Sequence, residues 1–239
     1  MIIFLMRFHT IIEKNKRMKK IFYFIISVVI CFTLTSAIQK SEQNSKTVIL
    51  QATGMDITPA SLIRSADIIS ARLKVYGLKS FDVNPLADKS QIIIHLPDII
   101  QLSEVEGLLI SKGELAFYET LERNDFSELL KTNKAGKPLL AMSDVESVNS
   151  SVNEATQTIL TGIKFKPSAI AVWAEATRRN LNKHIAIVID NQVFYSPVVR
   201  SVIEGGMCEI SGNFTQKDTN YFVALVSNGT LPVTLRVIK

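Results

Sequence analysis

Cysteine, histidine and tryptophan are scarce in this chain, with two, three and one respectively among 239 residues. Cys31 falls inside an apolar run near the N-terminus. If that segment is removed, Cys208 stands alone and no internal disulfide can form, even in an oxidising compartment. A small buried hydrophobe is the ordinary role of such a residue. His9, His95 and His184 show no metal-ligand spacing, and the last two sit in apolar, strand-like runs, so a metal centre has little support. A G-x-S-x-G elbow is absent, and Gly205-Gly206 lacks the Lys-Ser/Thr that follows in a phosphate-binding loop. Acidic residues such as Asp82 and Asp88, or Glu104 and Glu106, have the spacing of solvated turns and helix faces rather than of an acid/base pair. The expectation is a non-enzymatic protein that needs no cofactor.

Charge of one sign is also missing from most of the chain. The formal net charge is +5, but Arg7, Lys14, Lys16, Arg17, Lys19 and Lys20 face Glu13 alone before Ile38, and this segment carries the whole excess. The remainder holds 21 basic and 21 acidic residues. A neutral body lacks the electrostatic footprint of a nucleic-acid binder, so no nucleic-acid partner is expected.

The basic segment precedes Ile21 to Leu34, an uncharged apolar run of 14 residues, short beside the roughly 20 that a membrane span needs. Positive flank, short apolar core and then Thr35-Ser36-Ala37 have the layout of a signal peptide cut between Ala37 and Ile38, with Met1 or Met18 as the start. Uncleaved, residues 21–38 would serve as a membrane anchor. Both routes put the body outside the cytoplasm. Residues 38–46 are polar and read as a linker.

Alternation and capping then set out an α+β body. Residues 47–51 read as a strand. Thr58 and Pro59 open a helix whose apolar positions Leu62, Ala66, Ile69, Leu73 and Tyr76 share one face, and Gly77 closes it. Phe81 and Val83, a turn at residues 87–89 and the run 91–96 suggest a hairpin. A second helix over 102–111, with Asp98 or Ser103 as cap and Gly113 at its end, leads to a strand over 114–120. Strand, helix, strand, strand, helix, strand is the ferredoxin-like βαββαβ pattern, an antiparallel sheet with both helices on one face. Residues 121–158 read as irregular.

Beyond them come a strand over 159–166, a helix capped by Ser168 with Trp173, Thr177 and Leu181 on one face, and a hairpin about Asp190-Asn191. Gly205-Gly206 then makes a turn between strands. Thr215, with Asp218 near the positive end, caps a last helix that buries Phe222, Leu225 and Val226; Asn228-Gly229 ends it before a closing strand.

The run AEATRRNLNKHIAIVIDNQVFYSPVV, followed by GG, ISGNFT and LVSNGTLPVTLRVI, resembles the end of the large first periplasmic domain of SecD, a subunit of the bacterial protein-export machinery. SADIISARLKVYGL is similar to a helix of the same domain. The resemblance implies a ferredoxin-like base, residues 47–121 and 211–239, interrupted by an inserted α+β head over 122–210. It implies hinge or turn positions at Leu121, Gly205, Gly206 and Gly212.

It also implies a task in protein translocation, with unfolded preprotein or Sec translocon subunits as partners and the membrane as a further one if the N-terminal segment is retained. Such contact needs exposed apolar side chains and free strand edges rather than a nucleophile. Phe194, Tyr195, Pro197 and Val198, after the Asp190-Asn191 turn, are the candidates, with alternation expected to turn at least one of the two aromatic rings inward. The alternative is a cell-envelope adaptor that binds one fixed protein.

Overall fold

Residues 45–120, 126–132, 134–152, 154, 158–212 and 214–239 are described by a computed structural model, and Ser45–Lys239 packs as one unit. The first helix, α1 (Pro59–Tyr76), has the predicted ends: the Thr58 hydroxyl accepts from the Ser61 amide at 3.1 Å, Ser61 reciprocates, and Gly77 takes φ 112° as the left-handed stop. The helix lies over a four-stranded antiparallel sheet of order β11-β1-β3-β2, formed by β1 (Ser45–Thr53), β2 (Asp82–Leu86), β3 (Gln91–Pro97) and β11 (Thr234–Val237). Pairing sets Val48 beside Ile94 and Leu50 beside Ile92, so one face of the sheet is a buried apolar layer. Each such side chain contributes roughly 1.5–3 kcal/mol by leaving water. Helices α2 (Leu102–Ile110) and α5 (Gln216–Ser227) pack against α1.

The strand expected over 114–120 forms, as β4 (Leu115–Glu119), but in a different sheet. It pairs with β8 (Ile185–Ile189) and β5 (Leu140–Ala141), and β11 takes the place beside β1. The reason is burial. Phe117 meets Phe165 and Trp173 with ring centroids 5.3 Å apart in each pair, a cluster that a strand in the first sheet could not join.

This second sheet runs β5-β4-β8-β9, with β9 (Gln192–Tyr195) at its edge. All five residues of β8 are buried, because one side faces the aromatic cluster while Ala186 and Val188 lie under Phe126 and Leu130 of α3 (Phe126–Lys131). A third sheet, β10-β7-β6, consists of β6 (Val145–Val152), β7 (Ile159–Phe165) and β10 (Met207–Ser211). β6 corrects the irregular reading of this stretch. It is an edge strand with one buried residue, Val148, so its polar composition hides the alternation.

Two helix starts differ from the expected caps. α4 (Pro167–Arg179) starts at Pro167 with Lys166 as N-cap and Ser168 inside, and α2 starts after Gln101 with no side-chain cap, so neither Ser103 nor Asp98 serves. Leu181 lies past the end of α4 and is exposed, while Trp173 and Thr177 are buried as expected. The Thr215–Asp218 capping box of α5 forms in both directions.

One polar cluster joins these parts. Arg72, on α1, is fully buried and donates to four backbone carbonyls: Leu108 at 3.3 Å, Ser111 at 2.6 Å, Lys112 at 2.9 Å and Gly229 at 3.2 Å. On the amide side of the same loop, the Asp190 carboxylate accepts from Gly113 N at 3.2 Å, Glu114 N at 2.9 Å and the Ser111 hydroxyl. Gly113 is needed where the two grips meet. Its φ is 79°, and a Cβ there would stand 2.5 Å from Arg72 Nη2.

Burial pulls the Arg72 guanidinium down to about 10, with Asp190 and then Tyr221 acting in the opposite sense. At neutral pH the side chain therefore stays charged. Arg72→Met is expected to lower the unfolding free energy by about 3 kcal/mol, because buried carbonyls lose their donors. Urea titration measures this, and a loss below about 1 kcal/mol would mean that the carbonyls find other partners.

Candidate functional site

Between the second and third sheets lies a cleft of about 640 Å³. Phe117, Trp173 and Ile187 line it, and its sides are the segment Tyr195 to Ser201 and the strand β10. Hydrogen bonds hold the first side in an extended course: Ile185 N donates to Pro197 O at 3.3 Å, Val199 N to Lys183 O at 2.8 Å, and Asn182 N to Val199 O at 2.8 Å. His184 Nδ1 lies 2.7 Å from Ser196 O, and Ile203 N donates to the buried Thr177 hydroxyl at 3.0 Å. The cleft is thus framed by fixed backbone, which preserves its shape.

Three of the four candidate contact residues, Tyr195, Pro197 and Val198, line this cleft, and Phe194 does not. The cause is a β-bulge. Val193 pairs with Val188 and Tyr195 with Ile187, so two residues of β9 oppose one step of β8 and Phe194 is the extra one. Simple alternation would put Val193 and Tyr195 on one face; the bulge leaves Val193 with Val188 over α3 and turns Tyr195 to the Ile187 side. Phe194 packs on Phe222 of α5 at 4.9 Å between ring centroids and keeps 37% of its surface exposed. Tyr195 stacks edge-on against Phe214, also at 4.9 Å.

The Asp190-Asn191 turn has positive φ at both positions, 49° and 60°, as a tight hairpin requires. The same Asp190 grips the 111–114 loop, so the turn that carries β9 to the cleft is also tied to α1. Gly206, at φ 68°, lies against Ile170, where a Cβ would come within 2.5 Å of that side chain; Gly205 is open. A Cβ on Gly212 would meet Phe214 at 2.9 Å. Leu121, Ala37 and Ile38 lie outside the described residues.

Trp173, Cys208 and the β10 edge were not foreseen as parts of a site, although the apolar residues alternating through β10 were a usable signal. Among the described residues no group of three or more His, Cys, Asp or Glu could hold a metal, and no helix is long and apolar enough to cross a membrane.

The geometry defines a mixed α/β domain on antiparallel sheets that offers a framed cleft, with Phe117, Trp173 and Ile187 at its floor and polar groups, among them His184, Arg200 and Glu209, around them. Residues 118–233 match the family model of the SecDF P1 head subdomain. The protein translocase subunit SecD of Acidaminococcus fermentans is 27% identical over 239 residues, covering 95% of this chain and 53% of that protein. SecDF of Thermus thermophilus is 30% identical over 216 residues, 80% of this chain and 29% of its own length. The chain therefore spans about half or less of the curated relatives it matches.

Among solved structures, a SecDF chain from a membrane component that enhances protein export superposes with a TM-score of 0.58 at 22% identity, over 81% of this chain and 98% of that one. SecDF in a super-membrane-facing form gives 0.62 at 20%, over 82% and 30%. These two establish the fold. The region is a periplasmic domain of the SecD family.

Cys208 provides a probe of the cleft. Burial pushes its thiol up to about 12 from an ordinary 9.0. Since the folded value is the higher one, the thiol's contribution to stability is complete below about pH 9 and is lost as pH rises toward 12. At pH 8 iodoacetamide is expected to label Cys208 at least tenfold more slowly in the folded chain than in urea, read by mass spectrometry of its peptide. Equal rates would mean that the cleft opens as far as Cys208.

Proposed function

We propose that this domain is an extracytoplasmic accessory of protein translocation that holds an unfolded polypeptide transiently in the cleft beside Tyr195, Pro197 and Val198. The observation that carries this reading is the cleft itself, an apolar floor between a fixed extended segment and a strand edge. Such a site suits a chain without tertiary structure, which can enter edgewise and leave again. That the relatives are named as protein translocase subunits supports the same reading. The sheet of order β11-β1-β3-β2 is taken as a ferredoxin-like base, residues 47–121 with 211–239, and the two further sheets, apart from β4 and Ser211 of β10, as belonging to the head over 122–210. Gly212 and Leu121 are where the two crossing segments of chain would bend. The N-terminal segment serves either as a signal cut after Ala37 or as an anchor over 21–38.

Photo-crosslinking from Tyr195 and Val198 in cells, with mass spectrometry of the captured species, tests the proposal. Many exported chains, or translocon subunits, are the expected result. One recurrent envelope protein would instead mean a fixed adaptor and contradict it.

A further inference from the structure

We infer that the outer edge of β10 is a docking edge on which an extended polypeptide adds as a fourth strand of the third sheet, recognised by its backbone rather than by its sequence. The inference rests on the cleft reading above and specifies how the cleft would hold its occupant.

Sheet edges are a liability that proteins usually blunt. Among the described residues, five of the six sheet edges are blunted. β2 carries Pro85, β5 has two residues, β9 has four and is bulged at Phe194, β11 has four with Arg236 among them, and β6 is polar with a register shift between Val145 and Ser147. β10, reading MCEIS, carries one charge, Glu209, but is longer than β11, has no proline and no lysine, and keeps an unbroken register against β7 from Met207–Lys164 to Ser211–Leu160. Its five residues give an edge about 17 Å long.

The parity of that register assigns the free groups. Phe165 N donates to Gly206 O at 2.8 Å, which makes residues 206, 208 and 210 the hydrogen-bonded partners of β7. The amides and carbonyls of Met207 and Glu209 therefore point away from β7. Four consecutive residues, Met207 to Ile210, line the cleft, as a strand does when it presents its edge rather than a face. Cys208 and Ile210 are buried while Met207 and Glu209 are exposed, so an added strand would turn alternate side chains onto the apolar floor and the others to solvent. An extended backbone is the ligand that supplies donor and acceptor together at every second residue. A second copy of β10 would meet the same edge and is an outcome to be distinguished.

Trp173 is the one tryptophan of the chain and lines the cleft, so its fluorescence reports occupancy without a label. The full chain is titrated with a soluble nine-residue peptide of alternating leucine and serine. Two further versions are N-methylated at either the odd or the even residues. One methylated version should bind like the parent and the other at least tenfold more weakly, since alternate amides point to opposite sides of a strand.

Glu209→Pro should lose the parent peptide by a similar factor and remain folded, because proline is tolerated where an edge amide faces outward. Equal binding of all three peptides, with Glu209→Pro unaffected, would overturn backbone pairing and leave the cleft reading standing. No response to any of them would overturn both. Sedimentation showing a dimer that Glu209→Pro dissociates would give the edge to self-association and also overturn the inference.

Discussion

The loop from Ser111 to Glu114 is held from two sides by opposite charges, and the arrangement of the sheets depends on it. Arg72 takes its carbonyls from within the helical layer, and Asp190 takes its amides from the tip of the β8–β9 hairpin. Neither charge is placed for an ion pair with the other; a few peptide groups stand between them and partner the Asp190 carboxylate and both Nη atoms of Arg72, leaving only the buried Arg72 Nε without a partner. A charge removed from water costs several kcal/mol, and polarised backbone offsets that cost only when its groups are aimed correctly. The loop therefore has one acceptable conformation, which accounts for glycine at 113.

Consequences reach the cleft through the hairpin. Asp190 both makes the tight turn and anchors it, so β9 leaves the turn in a fixed direction, and the bulge at Phe194 then aims Tyr195 at the cleft. On the opposite side, α5 packs against α1 and also against β6 and β7, so the third sheet is referred to the same helical layer. The two sides of the cleft are positioned from one reference, α1.

Much of this was legible in the sequence wherever a local rule decides the outcome. Thr58, Pro59 and Gly77 bound α1, the pair Asp190-Asn191 marks its hairpin, and Thr215 with Asp218 opens α5. What could not be read depends on partners distant in sequence. The apolar pattern of residues 115–119 says strand, but not which sheet. The polar run 145–152 forms a strand because β7 needs a partner, and the bulge in β9 follows from the register with β8. Arg72 comes four residues after Ile68 and seven after Ser65, both buried, so its place on the inner face was available from spacing; its charge disguised it.

The amide hydrogen exchange of Gly113 and Glu114 tests the central claim most directly. If the loop is gripped as described, both amides exchange only through global unfolding in the native chain, and Asp190→Asn speeds their exchange selectively, ahead of the amides within β8. Rapid exchange of these amides in the native chain, or protection unchanged by Asp190→Asn, would show that the loop is held by something other than the Arg72 and Asp190 grips.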